Sequence, residues 1–330
     1  MHRLVRVAAL CVVLTLGTVA TGVAQSSDVD LGGMILTVSD SRTAQLFHIV
    51  DQLSQWDQYA HQQYVRWART HLVLTAADSV MLRRHAALRR ARGWGNGFEQ
   101  AFLVDAPIEV AAQQAVDSHL LSGAESAEEE EILLHFAPKL EPLGKQESAR
   151  IAAFRQQLVA DRAWLTPVVE RLARFAGATT PPRVRVFLVA NSEETSGGGE
   201  ANGGRLVIEV PSPAPMGFLL HEALHAFLSP HADAIRAAAD SAGLRFETFN
   251  EAIAYALAPG ITGDAQQNDL LAEQLAHFVL QGRPKSDPYM QFYLMAIVIR
   301  PVLRAALERG DSFSAFFPRA IAQWRNAAPS

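Results

Sequence analysis

The run His221-Glu222-Ala223-Leu224-His225 combines residue types that do chemistry with a spacing that lets them do it together. An α-helix repeats every 3.6 residues, so positions four apart share one face. Two imidazole nitrogens can then reach one Zn²⁺. Glu222, about 100° round the helix, is near enough to take a proton from a water on the ion but too displaced to be a ligand. Neutral nitrogen ligands leave the ion a strong Lewis acid, which brings the pKa of that water down to roughly 7. The chemistry on offer is metal-assisted hydrolysis with Glu222 as general base. From Met216 to Leu228 the segment is apolar on almost every side, so the helix is expected to be buried. Three ionisable groups on a buried turn need partners, and a metal supplies them.

A third protein ligand is required, and two residues offer themselves. Glu251 lies in Phe249-Asn250-Glu251-Ala252-Ile253-Ala254-Tyr255, which reads as a second apolar helix. His231 completes the metzincin spacing, but the Gly of that pattern is Leu228 here. A leucine disfavours the positive-φ turn that brings the third His back, and Pro230 ends the helix. His-Glu-x-x-His followed by Asn-Glu-x-x-Ala resembles the gluzincin clan of zinc metallopeptidases, the group that contains thermolysin and the peptidase-MA-like proteins. The resemblance is carried by roughly Arg183–Tyr255. It implies zinc held by His221, His225 and Glu251, hydrolysis of peptide bonds with Glu222 as base, and a Tyr or His from the C-terminal region as oxyanion donor. Tyr289 is the first choice for that donor, ahead of Tyr293, Tyr255 and His277. Two departures stand out. The separation of His225 and Glu251 implies an enlarged loop through Ala232–Glu247, and Tyr255 stands where thermolysin-like proteins carry an Asp.

The elements that must position these residues are legible in outline. Arg183–Val189 and Arg205–Val210 read as strands around the Gly-rich stretch 196–204, and Pro211 and Pro213 stop the second. Arg205–Val210 is expected to be the sheet edge to which a peptide adds. Helical periodicity covers Ala44–His71, Ala76–Arg92, Ser148–Ala176, Asn268–Leu280 and Pro288–Arg309. The cluster Arg83, Arg84, Arg89, Arg90 and Arg92 is expected to be a solvated face. Glu128 to Glu131 are expected to sit at the start of a helix over Ile132–Phe136. The expected class is α+β, mostly helical, with a small twisted sheet packed on the His helix in zincin-like fashion. An all-α N-terminal region over 25–145 precedes the metallopeptidase domain at 146–330.

The chain of 330 residues is 49% hydrophobic and 19% charged with a net charge of −5, ordinary globular content that supports a sizeable core. It has no basic stripe, which excludes nucleic acid as an expected partner. Met1–Arg6 is basic, Val7–Ala20 apolar, and Gly22-Val23-Ala24 small, the pattern of a secretory leader cleaved after Ala24. The one cysteine, Cys11, lies inside that leader, so the mature chain has no thiols. No later stretch is expected to span a membrane, and localisation is expected to be secreted or periplasmic. The expected partner is a peptide or protein substrate, and the sequence leaves the oligomeric state open. The alternative function is a non-catalytic, zinc-containing protein-binding module.

Overall fold

A computed structural model describes residues 26–93, 97–257, 279–280, 282 and 287–327. The leader at 1–24, His277 and all but the end of the helix expected over 268–280 lie outside the described residues. Five strands form one mixed sheet: β1 (Ser27–Asp30), β2 (Ile35–Ser39), β3 (Arg183–Ala190), β4 (Gly199–Asn202) and β5 (Arg205–Val210), in the order β1-β2-β3-β5-β4. The inner pairs β2–β3 and β3–β5 are parallel, and the outer pairs β1–β2 and β4–β5 antiparallel. The buried stretches of β3 and β5 run nearly unbroken, as expected of parallel strands covered on both faces. The class is α+β and mostly helical.

The helices are α1 (Arg42–Ser54), α2 (Gln62–His71), α3 (Ala76–Arg92), α4 (Gly97–Phe102), α5 (Ile108–Asp117), α6 (Gly123–Ala160) and α7 (Arg162–Ala176). After the sheet come α8 (Pro215–Leu228), a 3₁₀ turn at Ser229–His231, α9 (Ala232–Ser241), α10 (Phe246–Leu257), α11 (Pro288–Arg309) and α12 (Phe313–Ala327).

Several sequence expectations need correction. The N-terminal region is not all-α, because β1 and β2 belong to it and β2 pairs directly with β3. The division expected at residue 145 falls inside α6, and one apolar core contains residues from both sides of it. The helix expected over 44–71 is two, broken where Gln55 turns left-handed at φ 49°. The acidic run does not start a helix. Ser122 does, in a reciprocal capping box with Glu125, and Glu128 to Glu131 lie in the second and third turns. Arg205–Val210 is not the sheet edge. Gly203 and Gly204, at φ 52° and 79°, make the tight two-residue turn that folds β4 back outside β5. The enlarged loop through Ala232–Glu247 is largely helix α9. Tyr289–Arg309 is, by length and mean hydropathy, apolar enough to cross a bilayer, contrary to expectation, and half of it is buried inside the molecule.

Arg89 is the most consequential correction. It does not join a solvated basic face but is fully buried. Its Nε donates to Asp51 Oδ1 at 2.6 Å, another guanidinium nitrogen donates to Glu99, and its charge lies 4.4 Å from the Trp56 ring centroid. His85 bridges Asp51 and Glu129 at 2.9 Å each. Glu99 in turn accepts from the side-chain amide of Asn202, and Gln100 donates to that residue's oxygen at 3.1 Å. A buried ionic network thus joins α1, α3, α4 and α6 to the end of β4.

Removing one partner of a buried pair leaves the others charged and unsolvated. Arg89→Ala is therefore expected to cost about 3–5 kcal/mol, read as a large fall in the urea midpoint. An unchanged midpoint would contradict the network's role. Burial alone would pull the His85 imidazole down, but Glu129 and Asp51 overcome it and hold it at about 9. A group raised from 6.5 contributes all of its stability below that pH and loses it as pH rises through about 9. His85→Gln is expected to flatten the decline of the urea midpoint between those two pH values. An equally steep decline would show that the pH dependence arises elsewhere.

Candidate metal centre

Strand β5 delivers the chain through Pro211 and Pro213 to Pro215, which occupies the first turn of α8, where a missing N–H costs nothing. The helix buries Leu219, Leu220, Ala223, Leu224, Phe227 and Leu228, and this apolar cover carries His221 and Glu222 inside at 6% and 7% exposure. Helix α10, which buries Phe249, Ala252, Ile253 and Ala256, packs on both α8 and α11. That docking sets Glu251 beside both imidazoles.

Glu251 Oε2 lies 3.2 Å from His221 Nε2, and Oε1 lies 3.3 Å from His225 Nε2. The two Nε2 atoms are 3.3 Å apart. Donor atoms about 2.0–2.1 Å from a tetrahedral zinc are about 3.3 Å from one another; the two imidazole nitrogens have that separation, and each lies at a similar distance from a different Glu251 oxygen. Two imidazoles and one carboxylate also form a catalytic rather than a closed structural ligand set. The residues fit the ion.

His231 is elsewhere. Its Nε2 lies 2.8 Å from the Ala176 carbonyl, and its ring stacks on Phe313 at 4.3 Å. Of the two candidate third ligands, the structure brings Glu251 to the histidines. Against burial, which would raise it, His225 and His221 hold the Glu251 carboxyl well below the usual range. Burial likewise opposes the His225 imidazolium, yet Glu251 raises it to about 9.

Asn250 supplies what the sequence left unassigned. Its side-chain Nδ2 lies 2.9 Å from His225 Nδ1. The same amide turned over would present its oxygen to Nδ1–H and free the Nε2 lone pair for an ion. The signal was present in the Asn-Glu pair, but its role needed the packing of α10. Tyr255 lies with its ring 4.5 Å from that of His221 and 4.8 Å from that of Tyr293. Tyr289 instead meets Tyr59 edge-on at 5.3 Å and Phe292 at 5.6 Å.

Glu222 points at the backbone of β4. A Cβ on Gly199 would lie 2.7 Å from Glu222 Cγ and 3.0 Å from its Oε1, so only glycine admits this approach. Burial pushes the Glu222 carboxyl up, although His221 and His225 pull against it. Among the described residues β4 ends the sheet, so a strand edge runs past Glu222. The sequence placed that edge one strand too far in.

No protein-family model, no curated protein and no solved structure matches this chain.

Residues that orient a ligating His through its second nitrogen typically change metal affinity by about 10–100-fold. Asn250→Ala is expected to weaken zinc binding by that factor in competition with a chromophoric chelator. Unaltered affinity would mean that the His225 ring is oriented by something else.

Proposed function

We propose that this chain is a zinc-dependent peptidase with a zincin-like site, and that its substrate is a peptide or protein. The observation that carries the reading is the convergence of two imidazoles and a carboxylate, 3.2–3.3 Å apart, beside a buried carboxylate and the antiparallel strand that ends the sheet among the described residues. His221, His225 and Glu251 would hold the ion. When bound, zinc supplies Lewis acidity, polarising the scissile carbonyl and making water acidic enough to deprotonate near neutral pH.

The chain's own residues account for the rest. Backbone groups along Gly199–Asn202 align an extended substrate by adding it to the sheet as a further strand. Glu222 accepts a proton from the attacking water and passes it to the nitrogen of the leaving amine. A phenol near the cluster would donate to the carbonyl oxygen as it gains charge. The sequence points to Tyr289, and the Tyr255 ring lies 4.5 Å from that of His221. The basic, apolar and small-residue order of residues 1–24 supports export as the setting for this activity.

General acid–base catalysis contributes about 10²–10⁴-fold. Glu222→Gln should therefore retain zinc and lose cleavage of a mixed peptide library by at least that factor. Zinc binding with no cleavage by either form would leave a zinc-containing protein-binding module.

A further inference from the structure

We propose that His48, His61 and Glu209 form a second site for a divalent first-row transition ion, on the opposite face of the sheet from the first. His48 lies on α1, His61 just ahead of α2, and Glu209 on β5. Their donor atoms all lie within 4.8 Å of one another. His48 Nε2 and His61 Nδ1 both meet Glu209 Oε1, each at 2.8 Å. Glu209 is fully buried and His48 is 2% exposed. Gln63 Nε2 donates to the other Glu209 oxygen at 3.2 Å, which fixes the carboxylate with Oε1 toward the imidazoles.

The strand register separates this group from the first. Glu200 pairs with Val207, so both share a face with Glu209, while Gly199 pairs with Ile208 on the other. Gly199 abuts Glu222, and Glu209 abuts His48. The β4–β5 hairpin is therefore a partition with a His/Glu cluster on each side.

Hydrogen bonding alone leaves this group incomplete. His48 Nδ1 is buried without a hydrogen-bond partner, and so is Glu200 Oε1. The nearest charged group to that nitrogen is Glu200, whose Oε2 is 3.7 Å away. Without an ion, only a protonated His48 serves both Glu209 and Glu200, and burial opposes that charge. A metal on Nε2 puts a proton on Nδ1, facing Glu200. This is the carboxylate–histidine–metal relay that ligating imidazoles ordinarily show. Two imidazoles and a carboxylate suit zinc and its first-row neighbours rather than calcium or magnesium. An ion here would clamp the start of α2 and the middle of α1 to the hairpin that borders Glu222. His61 already packs on that hairpin, for a Cβ on Gly198 would lie 3.0 Å from its Cε1.

The test loads the metal-stripped full chain with zinc, removes the excess and counts zinc per chain by elemental analysis. It compares the unsubstituted chain with His61→Ala and with His221→Ala/His225→Ala. His61 is chosen because its side chain is 28% exposed, and the double variant leaves the proposed second site intact. The expected result is about two zinc ions per chain, falling to about one in each variant. Cobalt(II) loaded into the double variant should give visible absorption that added His61→Ala removes. One zinc that survives His61→Ala and vanishes in the double variant would overturn the second site and leave a hydrogen-bonded network. One zinc with the opposite dependence would uphold the second site and sink the peptidase centre. No zinc in any form overturns both.

Discussion

The charge on Arg89 has no water around it, and the structure between α1 and β4 is organised by that fact. A guanidinium in a dry interior must be matched by carboxylates with good geometry, or the protein does not tolerate it. Asp51 and Glu99 match it, and each is committed elsewhere as well. Asp51 also accepts from Trp56 and His85, and Glu99 accepts from Asn202. Because these groups lie on different elements, satisfying the charge fixes α1, α3 and α4 against the last residue of β4. Apolar burial alone would tolerate small slides between those helices, whereas hydrogen bonds of 2.6–3.0 Å do not.

That constraint reaches the candidate site through a hairpin. Strand β4 is four residues long and among the described residues pairs on one side only, so it has little intrinsic stability. Its far end is anchored by Asn202 and its near end by contact of Gly198 and Gly199 with His61 and Glu222. The N-terminal helices therefore form one side of the same working unit. They hold the edge strand while α8 and α10 hold the donor groups, and a boundary drawn between the two halves would cut the unit in two.

How much of this could be read from the sequence depends on how far apart the participants are. His221, Glu222 and His225 follow from helical geometry alone, since their relation is local. Glu251 was legible through the second motif, although only the docking of α10 brings it to 3.2 Å from His221. His48, His61 and Glu209 were not legible: His48 and Glu209 are 161 positions apart, and no period links them. Strands β1 and β2 leave little trace in the sequence, because each is short and they precede a long helical stretch. The arginine series on α3 shows the limit from the other side. Periodicity groups Arg83, Arg84, Arg89, Arg90 and Arg92 as one polar region, yet Arg89 alone is fully buried, and nothing local distinguishes it.

Glycine at positions 197–199 is best understood from what surrounds it. Side chains approach this short stretch from both faces of the sheet: His61 and Glu209 from one, Glu222 from the other. A residue with a side chain at Gly199 would push the Glu222 carboxyl away, and one at Gly198 would displace His61 or the strand itself. The run that looked like a flexible turn is thus the narrowest part of the structure, where backbone must pass between two buried ionisable clusters. Flexibility in the unfolded chain is the entropic cost of that fit. The pairing of β4 with β5, the Asn202 anchor and the two clusters are what offset it.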